Sequence, residues 1–186
     1  MTHQQRGFSL VEMLAVIVIV GMMASIALPK SGIASYKANG AAQTVASTLT
    51  YAQRQSISLQ TDIRVAFDPA NNELRIHEDA NNDNVIDLGE RVTATPLPEG
   101  ITFGRGAAPA RAMGAATVTF TRTQGGLPIV IFRRDGSASE NGGVYLTTIS
   151  GLSVGRAADV RAVEISRATG RAMWFSYGTG AWKEGR

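Results

Sequence analysis

The chain predicts an α+β protein, a long N-terminal helix followed by an antiparallel, sandwich-like β domain. Three observations carry that expectation. Residues 8–28 are apolar but for one acid, and they run on into a segment whose apolar residues recur every third or fourth position. From Asp62 the period drops to two, in short runs divided by turn residues. The chain has 186 residues and no cysteine, so one core forms behind the helix with no disulfide to hold it.

The first element is RGFSLVEMLAVIVIVGMMASIALPK, residues 6–30. From Phe8 to Leu28 there are twenty-one residues whose only charge is Glu12. At about 1.5 Å per residue they reach about 30 Å, the thickness of a bilayer's hydrocarbon core. A secretory signal peptide has an apolar core of about 7–15 residues and few charges inside it, so this run is too long and too acidic for one. A carboxylate in hydrocarbon costs at least about 2.5 kcal/mol unless it is protonated or faces a partner. A cut between Gly7 and Phe8 supplies that partner, because Phe8 then carries a free α-amine with an ordinary pKa near 8. Glu12 becomes the fifth residue of the new chain, about 6 Å along the helix axis from the amine. It can pair within its own subunit, or with the amine of a neighbour packed out of register. Pro29 lacks an N–H, and serves either as a helix stop or as a point where the helix kinks.

After Pro29 the apolar or small residues Ile33, Tyr36, Ala41, Val45, Leu49, Ala52 and Ile57 fall mostly three or four apart, with polar residues opposite. The spacing predicts one helix from Phe8 to about Leu59, roughly 75 Å long, with Gly32 and Gly40 as weak points. The expected division is residues 1–7 before the cut, 8–29 the membrane half, 30–60 the amphipathic continuation and 61–186 the β-rich domain. In that domain the alternating runs 63–67, 74–76, 116–121, 129–132, 144–149, 160–165 and 172–177 predict strands joined by short turns. Charge divides unevenly: residues 1–61 sum to +3, 62–100 to −6 and 101–186 to +6. The acidic middle and the basic C-terminal part either cancel within one domain or leave a basic face for a polyanion.

Arg6-Gly7-Phe8-Ser9-Leu10-Val11-Glu12-Met13-Leu14 resembles the prepilin-peptidase site and mature N-terminus of type IV pilins and type II secretion pseudopilins. Two turns, Phe132-Arg133-Arg134-Asp135-Gly136-Ser137 and Ala168-Thr169-Gly170-Arg171, are similar to the GspH/FimT branch of that family. The resemblance implies the type IV pilin fold, cleavage after Gly7, N-methylation of Phe8, and recruitment to a filament through Glu12, with Pro29 at the family's helix proline. It also implies a minor pilin or pseudopilin in a single-pass position in the bacterial inner membrane. The first seven residues would then be cytoplasmic, and the β domain periplasmic or on the filament surface. The implied partners are other pilins or pseudopilins, prepilin peptidase, the inner-membrane assembly platform and membrane lipid. Some FimT-type minor pilins bind DNA in natural transformation, so DNA is a further expected partner. Arg156, Arg161, Arg167, Arg171, Lys183 and Arg186 are its candidate contacts, with Trp174, Tyr177 and Trp182 as stacking faces.

No cofactor is required by this reading, and calcium is the one that a motif suggests. Asp79, Asn81, Asp83, Val85, Asp87 and Glu90 fall at positions 1, 3, 5, 7, 9 and 12 of an EF-hand-like loop, with Val85 offering its carbonyl. Asn84 stands where such loops carry glycine, and an Asn- and Asp-rich hairpin turn accounts for the same letters without a metal. Gly151-Leu152-Ser153-Val154-Gly155 matches a nucleophile elbow, but that chemistry needs a histidine after the serine and the only histidines are His3 and His77. His77 follows the 74–76 run among acids and reads as a solvated or paired surface residue. There is no P-loop and no zinc spacing, and the sequence predicts no enzyme.

Overall fold

The computed structural model describes residues 9–27, 31–83 and 85–185. The chain divides into two compact units, residues 1–32 and 33–186. The first contains α1 (Leu10–Ala27), which is apolar on every side apart from Glu12. Its residues from Leu10 to Met23 are exposed all round. Among the described residues no helix is long and apolar enough to cross a membrane. The expected span starts at Phe8 and includes Leu28 and Pro29, which lie outside the described residues, as do the side chains past Met23.

α2 (Ser31–Leu59) carries the helical stripe into the second unit. Ala38, Ala41, Ala42, Val45, Ala46, Leu49, Ala52 and Ser56 are buried, a three-and-four spacing that fills one helix face. Ile33, Tyr36 and Ile57, expected on that face, are exposed instead. The many alanines let the helix backbone lie close to the domain it covers.

The strands form two antiparallel sheets. β1 (Asp62–Asp68), β2 (Glu73–Asp79), β3 (Arg91–Pro96), β5 (Thr123–Gln124) and β6 (Leu127–Phe132) make one, in the order β3-β2-β1-β6-β5. β4 (Ile101–Phe103), β7 (Gly142–Thr148), β8 (Arg161–Ile165), β9 (Ala172–Gly178) and β10 (Ala181–Glu184) make the other, in the order β10-β9-β8-β7-β4. A short helix, α3 (Ile149–Ser153), and a 3-10 turn, Ala157–Asp159, link β7 to β8. One core takes Ala41, Val45 and Leu49 from α2, Ile63, Val65 and Phe67 from β1, and Val144, Leu146 and Val163 from the second sheet. The helix and both sheets therefore share a single apolar interior, the arrangement of the type IV pilin fold.

Several expected boundaries shift. β3, β4, β5, β10 and α3 are elements that the alternation did not predict. Residues 116–121, predicted as a strand, make only a bridge from Val118 to Val144. β8 already flanks β7 along 142–146 and β4 pairs with 146–148, so this segment has only the short remaining stretch of the β7 edge. Its alternation still has a use, because Phe120 is buried and stacks on Phe67 with ring centroids 5.2 Å apart. The predicted 144–149 strand ends at Thr148, whose hydroxyl accepts the Gly151 N–H and caps α3.

Candidate functional site

Glu12 lies in the first turn of α1, where a carboxylate is favoured by the exposed N–H groups and the helix dipole. It is exposed, as are its apolar neighbours Leu10, Val11, Met13 and Leu14. A helix that is apolar on all sides is stable when lipid or other helices surround it. Gly7, Phe8 and Pro29, the other residues of the expected processing and assembly site, lie outside the described residues.

The acidic loop joins β2 to β3, and each of its acids has a partner within the chain. Arg64 Nε and Nη2 both donate to Asp79 Oδ2, at 2.8 and 2.5 Å, and both side chains are buried. The amide nitrogen of Asn81 donates to Asp83 Oδ2 and to Asp87 Oδ2, at 3.0 Å each. His77 Nε2 lies 2.6 Å from Glu90 Oε2, and the backbone N–H groups of Ala80 and Asp87 donate to the same carboxylate at 2.9 and 3.0 Å. Those backbone bonds, led by that of Asp87 and followed by the His77 contact, hold the Glu90 pKa down at about 2. Backbone groups close the rest: Asp83 N–H donates to Asp79 Oδ1 and Val85 N–H to Asp83 Oδ1. Asn84 is outside the described residues. Among those described, no three His, Asp or Glu side chains gather to hold a metal ion.

His77 is 2% exposed, so it is paired, as one sequence reading has it, but it is not a surface residue. Arg64 stands opposite it in the β1–β2 register. Sequence inspection passed over Arg64, and the signal available was its parity: within 63–67 it alternates with the core residues Ile63 and Val65, on the same sheet face as its cross-strand partner His77.

Among the described residues the candidate DNA contacts do not form one surface. Arg161 is buried, with Nε donating to Asn39 Oδ1 at 2.6 Å and Nη2 to the Ser35 carbonyl at 3.2 Å, so it ties β8 to α2. Burial pushes its pKa down, and the nearby Asp159 charge opposes this. Arg156 pairs with Asp159 at 3.4 Å. Lys183 is exposed on β10, and Arg186 lies outside the described residues. Trp174 packs against the main core, while Tyr177 and Trp182 pack with Tyr145.

Arg167 and Arg171 are exposed at the turn between β8 and β9, and there the structure adds something that the sequence does not show. That turn meets the 132–137 turn: Ala138 N–H donates to the Arg167 carbonyl at 2.9 Å, and the Gln53 amide of α2 donates to the carbonyls of Gly136 and Thr169. A Cβ on Gly170, at φ +61°, would run into the Gly136 carbonyl oxygen. The two turns thus touch backbone to backbone and bring Arg133 and Arg167 to one hollow with Ser137, Asn141 and Ser166. Arg134 and Arg171 are exposed on the same turns.

Two other sequence features find plain explanations. Gly151 of the GLSVG stretch is a packing glycine, because an added Cβ would lie 2.6 Å from Thr148 Oγ1 and 2.7 Å from Asp159 Oδ2. Residues 104–114 cover the outer face of the second sheet. There the Arg111 guanidinium sits 3.5 Å above the Phe175 ring and pairs with Glu164, and its backbone N–H donates to the Tyr145 hydroxyl.

Residues 2–28 match the model of the prokaryotic N-terminal methylation motif. With α1 and its first-turn glutamate, this motif defines a pilin-like subunit that prepilin peptidase processes. Residues 41–169 match the model of the type II transport protein GspH, which is more than half of the chain, and the protein belongs to that family. Both are families of structural pilin or pseudopilin proteins, which implies interaction with prepilin peptidase and with other pilins or pseudopilins. The matched region contains the 132–137 turn and ends within the 168–171 turn. No curated protein and no solved structure matches the chain.

Proposed function

We propose that this chain is a minor pilin or pseudopilin that is cut after Gly7, methylated on Phe8 and assembled through α1 into a type IV pilus or a type II secretion pseudopilus. The observation that carries the reading is a helix apolar on all sides with a single carboxylate in its first turn, inside a methylation motif. In the assembled state Glu12 neutralises the α-amine of a neighbouring Phe8, and a correctly seated neighbour is the one that removes an uncompensated charge from an apolar surrounding. No group in this mechanism reacts covalently once the peptidase and methylase have acted. Intact mass of the membrane-extracted protein tests it. Loss of residues 1–7 and gain of one methyl group is the expected result, and an unprocessed N-terminus overturns the reading.

A second reading, a DNA-binding minor pilin, is favoured by one observation: Arg133, Arg134, Arg167 and Arg171 stand on two turns in contact. Phosphate binding by such a group is steeply salt-dependent. The full chain in detergent would retard DNA at low salt, and Arg133→Ala combined with Arg167→Ala would abolish the shift. No shift from the unaltered protein at low salt ends this reading.

A further inference from the structure

We infer that the loop from Asp79 to Glu90 is closed by donors of the protein itself, in place of the calcium ion that its ligand spacing suggests. An EF-hand-like loop gathers its carboxylates around one cation, and without it they repel one another. Here every acid is turned toward a donor of the chain. Asp79 takes the buried Arg64 guanidinium, Asp83 and Asp87 share the Asn81 amide, and Glu90 takes His77 with two backbone N–H groups. Asn81, at a position where calcium requires an oxygen, presents its nitrogen to both of the acids that follow. Arg64 and His77 are direct cross-strand neighbours on β1 and β2, so the sheet carries the clamps for the first and last acids side by side.

The base of the loop is fixed as well. The Thr61 hydroxyl donates to the Asp79 carbonyl, and Asp62 N–H donates to Asn82 Oδ1 at 2.9 Å. Drawing the carboxylates onto a central ion would pull Asp83, Asp87 and Glu90 off the Asn81, His77 and backbone donors that hold them, and any displacement of Asp79 would leave the Arg64 guanidinium buried without its carboxylate, which is strongly unfavourable. The EF-hand-like letters are therefore a turn whose charges the fold has already balanced. The ends of the loop stay shut in any calcium concentration, and Val85, Ile86 and Leu88 stay exposed at its tip.

Backbone amide exchange and thermal unfolding of the full-length protein in detergent, with calcium chloride or with chelator, test this. For the unaltered protein, the unfolding midpoint and the exchange rates of the Ala80, Asp83, Val85 and Asp87 amides are expected to be the same in both conditions. His77→Gln frees the Glu90 end and Asn81→Asp removes the donor shared by Asp83 and Asp87. Each is expected to speed exchange of those amides by about tenfold in chelator, the change that losing one such hydrogen bond produces. Both substitutions leave the Arg64–Asp79 pair and the core untouched. A rise in the midpoint or slowed loop exchange when calcium meets the unaltered protein overturns the inference. So does unchanged exchange in either variant.

Discussion

Three donors converge on Glu90, and the sign of their effect on stability follows from the direction of its pKa. The Asp87 N–H, the His77 side chain and the Ala80 N–H hold the carboxyl at about 2 against an ordinary 4.5. A group whose pKa is lower in the folded state adds stability above its ordinary pKa, and that contribution fades as pH falls from about 4.5 to about 2. Asp68, held down first by the Asn71 side chain, and Asp135, held down first by the Ser137 hydroxyl, act in the same direction. In acid titrations followed by circular dichroism, Glu90→Gln should lower stability at neutral pH. Its deficit against the unaltered protein should shrink as pH falls through that window, and a constant deficit would contradict the assignment. The Asp68 and Asp135 bonds lie within local turns, but the long-range partners of the loop could not be read from sequence. Arg64 and Asp79 are fifteen positions apart and meet only because the β1–β2 register aligns them.

Among elements, α2 shows what periodicity reveals and where it stops. From Ala41 to Ala52 the predicted face is the buried face, because helix geometry alone sets which side chains share a side. At Ile33, Tyr36 and Ile57 the same periodicity points to residues that the domain does not cover, since spacing says nothing of where a neighbour ends. The strands divide likewise. β1 announces itself by alternating apolar residues and β6 by a continuous apolar run, both entering the core, whereas β3, exposed along nearly its whole length, has only the short alternation of Val92 and Ala94 with threonines. The 104–114 segment carries no pattern because its role depends on one arginine stacking on a distant ring. Leu49 is fully buried between α2 and the sheets, and Leu49→Ala should cost about 2–5 kcal/mol in chemical denaturation. Gln43→Ala, on the exposed side of the same helix, should stay within about 0.5 kcal/mol. Equal effects would place the core elsewhere.

At the scale of the whole molecule, the two units carry different kinds of surface. The head has an apolar core, partners for its buried charges and a covered outer sheet face, while α1 has apolar side chains exposed on every side from Leu10 to Met23. Under the proposed function, Glu12→Ala should leave the protein in the membrane fraction and remove it from sheared filaments, as read by immunoblot of both. Retention in filaments would show that the carboxylate does not select neighbours. The processing motif and helix were legible from the letters because both are local. The meeting of the two family turns, clamped by Gln53 across 83 and 116 positions of chain, was not.

The sheet edges bear on how such a molecule polymerises. Both sheets are open, and their four borders are β3, β5, β10 and β4. Three of these are only two to four residues long, too short to template another strand. The fourth, β3, has six residues, but it ends in Pro96, which has no N–H to offer, and begins at Arg91, whose side chain is 71% exposed and charged. These borders discourage cross-β stacking between copies, so under the proposed function growth in one direction is left to the helix.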